Sequence, residues 1–200
     1  MKVWPEELDS EKVDGMLQLL YPAILSGLEQ DMTDIAIELV ASVIQWSERG
    51  DYANEIYDFI EQVIASDEMQ DKMYRYDEER FRTYQLAILQ HQGDQGAVNA
   101  FIQKHRSYPA IRRTEIIEAL LTGEFEKVVR LCRESEQIDS ALPGLVHDWK
   151  ELRFKAYEEL GKVPDMIELA YAFAVKGEET YYGKLKNLVE AESWPGCLKR

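Results

Sequence analysis

Cysteine and histidine are scarce in this chain, and neither is grouped as a metal site or a redox pair requires. The two cysteines, Cys132 and Cys197, lie far apart and match none of the spacings of zinc sites or thiol–disulfide motifs. His91, His105 and His147 are too widely separated to share a helical face, and no HExxH motif occurs. The sequence therefore predicts no bound metal or cofactor, a fold that needs no zinc, and plain thiols in a reducing compartment.

Long apolar runs are also missing. One of the longest, "LQLLYPAIL" from Leu17 to Leu25, is far shorter than the roughly 20 residues that a membrane-spanning helix requires. The start "MKVWPEELD" lacks the apolar segment of a secretory signal peptide. These absences predict no membrane segment and a cytoplasmic location.

Motifs for phosphate binding and nucleophilic catalysis are absent too. No apolar alternation indicates a strand that a glycine-rich phosphate loop could follow, and GxSxG does not occur. The acid clusters "EQDMTD" (Glu29–Asp34) and "DEE" (Asp77–Glu79) lack the ligand spacing of a calcium loop. Paired carboxylates serve acid–base chemistry only where they converge in a cleft. Both clusters are interpreted as solvated helix faces and N-terminal caps, and no catalytic residue is assigned.

Basic residues are few in the first half of the chain. Residues 1–100 contain 21 acids and 7 bases, a net charge of −14, whereas residues 101–200 have a net charge of −1. Such a field repels nucleic acids and anionic membranes, which bind through clusters of cations. A local positive excess lies in "QKHRSYPAIRR", but Tyr108 is its only aromatic residue, which favours a structural role over a nucleic-acid surface.

Apolar residues spaced three and four apart are abundant, and they predict an all-α fold with about ten helices. The clearest segments run from about Ser10 to Glu29, with a kink at Pro22, and from Thr33 to Arg49. Further helices are expected after Gly50, with Asp51 as N-cap, and between about Met69 and His91. The remaining ones are centred on Val98–Ile102, Pro109–Leu121, Phe125–Cys132, Val146–Leu160, Pro164–Lys176 and the residues from Glu178, with the loop "SEQIDSALPG" after the helix that holds Cys132.

A glycine recurs between these helices with a fixed layout behind it. Gly93, Gly123 and Gly161 each have apolar residues five and eight positions later, and Gly50 fits one residue out of register. A glycine adopts the left-handed conformation that ends one helix and lets the next begin within a few residues. We therefore predict that all four glycines lie just beyond helix ends, at the elbows of helical hairpins.

The spacing of these elbows falls in the range of helical-hairpin arrays. With Ala87, Ala119 and Ala156 a few residues before the elbows, the chain resembles a divergent tetratricopeptide-type array, well over residues 80–190 and less well over 30–66. The resemblance implies an α-solenoid of antiparallel hairpins. The C-terminal "YYGKLKNLVEAESWPGCLKR" resembles the helical region of bacterial SWIM-finger proteins, but the zinc-binding cysteines and histidine of that family are lacking.

A single helical-repeat domain over residues 1–200 is expected, with a subdivision into 1–68 and 69–200 as the alternative. Stacked hairpins form grooves that usually bind peptides or other domains, which favours a protein-interaction or scaffold module with a basic or neutral protein partner. An enzyme with an unrecognised pocket and a section of a longer protein stay open as alternatives. Because half-polar rings suit interfaces, four tyrosines are candidates for partner contact: Tyr52, Tyr57, Tyr74 and Tyr76.

Overall fold

A computed structural model describes residues 9–66 and 75–189, and within these ranges every regular element is a helix. The all-α prediction is confirmed, with ten α-helices and one 3-10 turn, Gln45–Glu48, in the described residues. For Gly50, Arg75 and Tyr76 only the backbone is described. The helices are α1 (Ser10–Glu29), α2 (Thr33–Ile44), α3 (Gly50–Ala65), α4 (Arg75–Gln92), α5 (Gln95–Lys104), α6 (Pro109–Leu121), α7 (Phe125–Ile138), α8 (Pro143–Leu160), α9 (Val163–Ala174) and α10 (Glu179–Leu188).

The chain divides into two compact units between Ile111 and Arg112, inside helix α6. The sequence analysis gave an alternative division at 68/69, between acidic N-terminal helices and tetratricopeptide-like hairpins. The structure places α4 in the first unit, because Phe81 and Ile88 are fully buried in the same apolar cluster as α1, α2 and α3. The acidic N-terminal helices therefore share their core with a helix that the sequence assigned to the later hairpins.

In the first unit, α1 and α3 run in the same direction. The hydroxyl of Tyr52 donates to Asp14 Oδ1 at 2.9 Å, and further along both helices the rings of Tyr21 and Phe59 stack with centroids 3.9 Å apart. The residue numbers of the contacting pairs therefore increase together along α1 and α3. Because α1 and α3 are parallel, the chain runs back through α2, which lies between them in the sequence.

Helices α3 and α4 run in opposite directions. Gln92 at the end of α4 donates to Asn54 near the start of α3, at 2.7 Å. Gln85, earlier in α4, donates to Glu61 near the end of α3, at 2.8 Å. The residue numbers of the contacting pairs decrease along α3 as they increase along α4, so the two helices are antiparallel.

The second unit repeats both relations. Helices α7 and α8 are antiparallel, since Asp139, just past α7, bonds to Trp149, while Arg133, earlier in α7, bonds to Tyr157, later in α8. Helices α8 and α10 are parallel through the pairs Glu151–Tyr181 and Glu158–Lys184. Consecutive antiparallel helices with parallel alternate helices form helical hairpins in each unit.

Three of the four predicted elbows are confirmed. Gly93, Gly123 and Gly161 have φ values of 76°, 77° and 63°, and each lies between two helices. Gly177, at φ 93°, forms a further elbow before α10 that the sequence analysis missed, although an acid follows it as it follows Gly123. The left-handed conformation allows each chain reversal within two to four residues.

The prediction for Gly50 is wrong. Helix α2 ends at Ile44, the 3-10 turn follows, and Gly50 is the first residue of α3 rather than the terminator of the helix before it. The 3-10 turn buries Trp46, and the chain reverses at Arg49 with extended backbone, so no left-handed residue is needed. Asp51, expected as the N-cap, lies in the first turn of α3, where Arg49 is the capping residue.

A buried ion pair joins three helices of the second unit. Arg112 of α6 is 1% exposed and donates to the Asp139 carboxylate, which is 6% exposed. The same oxygen accepts the indole N–H of Trp149 from α8 at 2.7 Å. Asp139 is the C-cap of α7, which extends into the segment "SEQIDSALPG" that the sequence predicted as loop. One carboxylate therefore fixes α6, α7 and α8 together.

Replacing this carboxylate should destabilise the second unit strongly. Asp139→Asn leaves the buried Arg112 guanidinium without its counter-charge, and we expect a loss of about 3 kcal/mol or more in the free energy of unfolding. Asp148→Asn is the matched control, because its ion pair with Arg113, at 2.6 Å, is about 40% exposed and should be worth about 1 kcal/mol or less. Urea unfolding of the full chain measures both. Equal losses in the two variants would contradict the role of Asp139.

The elbow at Gly161 allows a test that separates backbone conformation from packing. No atom lies within 4 Å of a Cβ built on Gly161 or on Gly183, but only Gly161 has positive φ, whereas Gly183 lies inside α10. Gly161→Ala should lose about 1 kcal/mol of stability, and Gly183→Ala should gain about 0.5–1 kcal/mol. Thermal and urea unfolding measure both changes, and a destabilising Gly183→Ala would contradict this assignment.

Candidate functional site

Helix α8 presents polar side chains on two faces of the second unit. Lys150 and Arg153 lie on the face that packs beside α7. His147 and Glu151, one turn apart, lie on the face toward the start of α10. Residues one turn apart on a helix share a face, whereas neighbouring residues do not. The two polar clusters of this unit are therefore held in place by the same helix.

A cleft of about 430 Å³ lies between α7 and α8. Arg153 donates two hydrogen bonds to Glu136, at 2.7 and 3.0 Å, and Arg133 donates to the hydroxyl of Tyr157 at 2.9 Å. Bidentate pairing of this kind is the strongest form of the arginine–carboxylate contact. The lining residues are Arg133, Glu136, Gln137, Ser140, Val146, Lys150 and Arg153.

The charges of this cleft suit anion binding better than acid–base chemistry. Both oxygens of Glu136 are engaged by Arg153, so this carboxylate is not free to take a proton from a substrate. Hydrogen bonding and the charge of Glu136 outweigh burial and raise the pKa of Arg153, which stays cationic. With Arg133 and Lys150 the cleft has an excess of positive charge, unlike the chain as a whole.

On the other face of α8, three potential metal ligands converge. Nδ1 of His147 lies 3.4 Å from Glu178 Oε1, and Nε2 of the same ring lies 3.8 Å from Glu151 Oε1. Taking one ligand atom from each residue, all lie within 4.8 Å of one another, and each side chain is half-buried. Glu178 is the N-cap of α10, so the elbow at Gly177 positions it.

Tyr181 and Phe173 support this cluster. The Tyr181 hydroxyl donates to Glu151 Oε1 at 3.3 Å, and the edge of the Phe173 ring system contacts His147 with centroids 5.0 Å apart. Burial, with the nearby carboxylate of Glu151, raises the pKa of Tyr181, so its hydroxyl stays protonated and remains a donor. The donor bond orients the carboxylate, and the aromatic contact orients the imidazole.

In the first unit, the exposed face of α3 bears an acidic stripe, made up of Asp51, Glu55 and Asp58. Their spacing of four and three residues places them side by side on one helix face. None of the three forms an ion pair with a residue in 9–66 or 75–189. A row of exposed carboxylates without ion-pair partners among the described residues creates a negative potential that attracts cations.

A second polar cluster of the first unit lies between α3, α4 and α5, with Arg82 and Gln85 buried and Glu61 partly exposed. Arg82 of α4 donates to Glu61 at 2.5 Å and to Gln85 at 2.9 Å. Glu61 also accepts a hydrogen bond from Gln85. Burial alone would raise the pKa of the Glu61 carboxyl, but the hydrogen bonds from Gln85 and Arg82 outweigh burial and lower it. His105, 7% exposed, follows α5, and its ring packs tilted against Phe101 with ring centroids 4.4 Å apart. These bonds join the helices to one another, so the cluster stabilises the fold rather than forming an open binding site.

The four tyrosines expected at a partner surface lie in different environments. Tyr52 is 5% exposed. Its hydroxyl donates to Asp14 and to the Ser10 carbonyl, and these hydrogen bonds join α3 to α1. Tyr57 is half-buried beside the acidic stripe, and burial followed by the charge of Glu61 raises its pKa. Tyr74 lies outside the described residues, and so does the side chain of Tyr76.

The acid cluster at Asp77–Glu79 has a structural role that its sequence did not specify. Glu78 pairs with Arg82 at 3.4 Å, and Glu79 accepts the backbone N–H of Ala110 at the start of α6. These contacts agree with the interpretation of the cluster as helix-face and capping residues.

Cys132 is fully buried, and burial raises the pKa of its thiol to about 12, so it is not a nucleophile. Cys197 lies outside the described residues.

Sequence reasoning missed the cluster at His147. The only sequence signal is the His147–Glu151 spacing, which places two ligands on one helix face. Glu178 is remote along the chain and joins them only through the packing of α10 beside α8. A pattern confined to one helix therefore carried too little information to identify three converging ligands.

No protein-family model matches the chain, and neither curated proteins nor solved structures give a match. Among the described helices, none combines the length and the apolar character that crossing a membrane requires. Its function is therefore inferred from the arrangement of its own residues.

The buried imidazole of His105 should make the stability of the first unit depend on pH. Burial, followed by the charges of Arg82 and Lys104, lowers its pKa below the ordinary 6.5, against the weaker pull of Glu61 and Glu78. The unfolded chain then binds the proton more readily, so stability is complete above about pH 6.5 and falls as the pH drops below it.

We expect His105→Gln to flatten this dependence between about pH 7.5 and pH 5.5, in urea unfolding followed by circular dichroism. His91→Gln, on the exposed face of α4, is the control and should leave the dependence unchanged. An unaltered pH profile in His105→Gln would contradict the assignment.

Proposed function

We propose that the chain is a protein-interaction module built from helical hairpins in a tetratricopeptide-like array, and that its first unit binds a basic protein segment. The observation that carries the proposal is the acidic stripe of Asp51, Glu55 and Asp58 on the exposed face of α3. Side chains of one sign aligned on a rigid helix attract a segment of the opposite sign and fix its register.

The stripe has a cost for the helix itself. Like charges three and four residues apart destabilise a helix by about 0.2–0.5 kcal/mol per pair. Helix α3 tolerates this because its opposite face is buried, with Ala53, Ile56, Ile60 and Val63 fully covered. The burial of that face fixes the helix, and the acidic face is left available for a partner.

Tyr57 adds apolar area beside the stripe. It follows Ile56 in the sequence, adjoins Asp58, and is half-buried, so part of its ring is accessible. Tyrosine in such a position combines an apolar ring with a polar edge, which suits contact with the aliphatic stem of lysine or arginine. Tyr52, by contrast, is covered, so Tyr57 is the proposed contact among the described tyrosines.

The test compares two variants of equal net charge. One carries Asp51→Asn, Glu55→Gln and Asp58→Asn, and the other carries Glu126→Gln, Glu159→Gln and Glu168→Gln on exposed positions of the second unit. Proteins captured by the wild type and by the second variant, but not by the first, are partners of the stripe. We expect these partners to be basic or neutral.

The rate of association with a captured partner should then fall by about tenfold or more as salt rises, because attraction between exposed charges is screened over about 8 Å at physiological ionic strength. Stopped-flow or surface-based kinetics at several salt concentrations measure this. An acidic partner, an association rate indifferent to salt, or equal loss of binding in both variants would contradict the proposal.

A further inference from the structure

The cluster of His147, Glu151 and Glu178 has the composition of a metal site. One imidazole and two carboxylates are brought together by two elements, α8 and the N-cap of α10. Imidazole and carboxylate are both common ligands of Zn²⁺, which forms bonds of about 2.0–2.2 Å to them. Two ligands of a tetrahedral Zn²⁺ therefore lie roughly 3.3–3.5 Å apart, and His147 Nδ1 and Glu178 Oε1 are separated by 3.4 Å. Glu151 Oε1 lies 3.8 Å from the other ring nitrogen, so the Glu151 side chain has to shift for all three residues to bind one ion.

We propose that this cluster binds a divalent cation of the zinc class through one ring nitrogen of His147 and one oxygen from each glutamate. With a neutral imidazole the two carboxylates place two negative charges in a half-buried position, and a dication neutralises them. The imidazole selects zinc-like ions over Mg²⁺ and Ca²⁺, which prefer ligand sets made of oxygen alone.

The surroundings hold the ligands in place without filling the site. The Tyr181 hydroxyl donates to Glu151, and the aromatic ring of Phe173 supports the imidazole. The backbone carbonyl of Glu178 accepts N–H groups from Tyr181 and Tyr182, which anchors the residue at the start of α10. Hydrogen bonds of this outer kind orient metal ligands and raise affinity.

Three protein ligands leave at least one coordination position for water or for a ligand from a partner. The half-buried position and the three-ligand set give binding weaker than that of a closed, four-ligand structural zinc site. Occupancy is therefore reversible and is not required for folding, but the site departs from the sequence-based prediction of no bound metal. The site lies in the second unit, and its existence does not depend on the acidic stripe of α3.

Isothermal titration of the chelator-treated full chain with ZnCl₂ tests the proposal. All variants carry Cys197→Ser, so that this thiol does not bind Zn²⁺ itself. We expect one Zn²⁺ per chain in the parent, and at least a tenfold loss of affinity in His147→Gln and in Glu178→Gln. Tyr181→Phe should weaken binding by about tenfold, as expected for a supporting hydrogen bond.

His91→Gln is the matched control, because within residues 9–66 and 75–189 His91 pairs with one carboxylate, that of Glu48 at 3.8 Å, rather than with two. This variant should bind Zn²⁺ as the parent does. Circular dichroism verifies that each variant is folded, and Glu151→Gln, at a more exposed position, serves as the second variant if Glu178→Gln unfolds.

Two further readouts distinguish a metal site from an ion pair of charged His147 with the two glutamates. Zn²⁺ should raise the unfolding temperature of the parent and not that of His147→Gln, and Co²⁺ should give the d–d absorption of a site with nitrogen ligation. No binding by the parent, equal affinity in His147→Gln, or equal competition by Mg²⁺ would overturn the proposal, the last of these indicating carboxylates alone.

Discussion

The Asp139 carboxylate is the point on which the packing of the second unit depends. It accepts from Arg112 and from the Trp149 indole, so α6 and α8 are both tied to the end of α7. A buried charge is strongly unfavourable unless a counter-charge and hydrogen bonds surround it. The three helices are therefore held in an arrangement that places the Asp139 carboxylate against both the Arg112 guanidinium and the Trp149 indole.

That arrangement positions everything else of chemical interest in the unit. Trp149 lies in the middle of α8, so fixing its indole fixes the rotation of the helix about its axis. One face then directs Lys150 and Arg153 into the cleft beside α7, while the next directs His147 toward Glu178. The basic groups of the cleft and the cluster at His147 are thus kept apart on a single helix by its rotation of about 100° per residue.

In the first unit, too, a carboxylate joins neighbouring helices by accepting hydrogen bonds from a second helix. Glu61 of α3 accepts from Arg82 and Gln85 of α4, so the two antiparallel helices are joined by charge-assisted bonds at their buried edge. The carboxylates on the outer face of α3 form no ion pair with another described residue. A single helix therefore carries one acid that joins it to α4 and three exposed acids that form no ion pair with the described residues.

Local sequence determined the helices and most of their ends. Gly93, Gly123 and Gly161 were predictable because a left-handed residue is the usual way to stop a helix, whereas Gly50 was not, because burial of Trp46 turned the chain earlier through a 3-10 segment. Gly177 had the same local signal as Gly123 and could have been found.

The polar sites were decided by tertiary structure. Arg112 and Asp139, or His147 and Glu178, are separated along the chain by whole helices, and each pair meets only after those helices have packed. Periodicity specifies which face of a helix is buried, but it says nothing about which residue of another helix lies opposite. The sequence by itself therefore determined an all-helical chain of hairpins with an acidic first half. The acidic stripe follows from spacing within α3, whereas the buried ion pairs and the cluster around His147 exist because long-range packing brings distant side chains together.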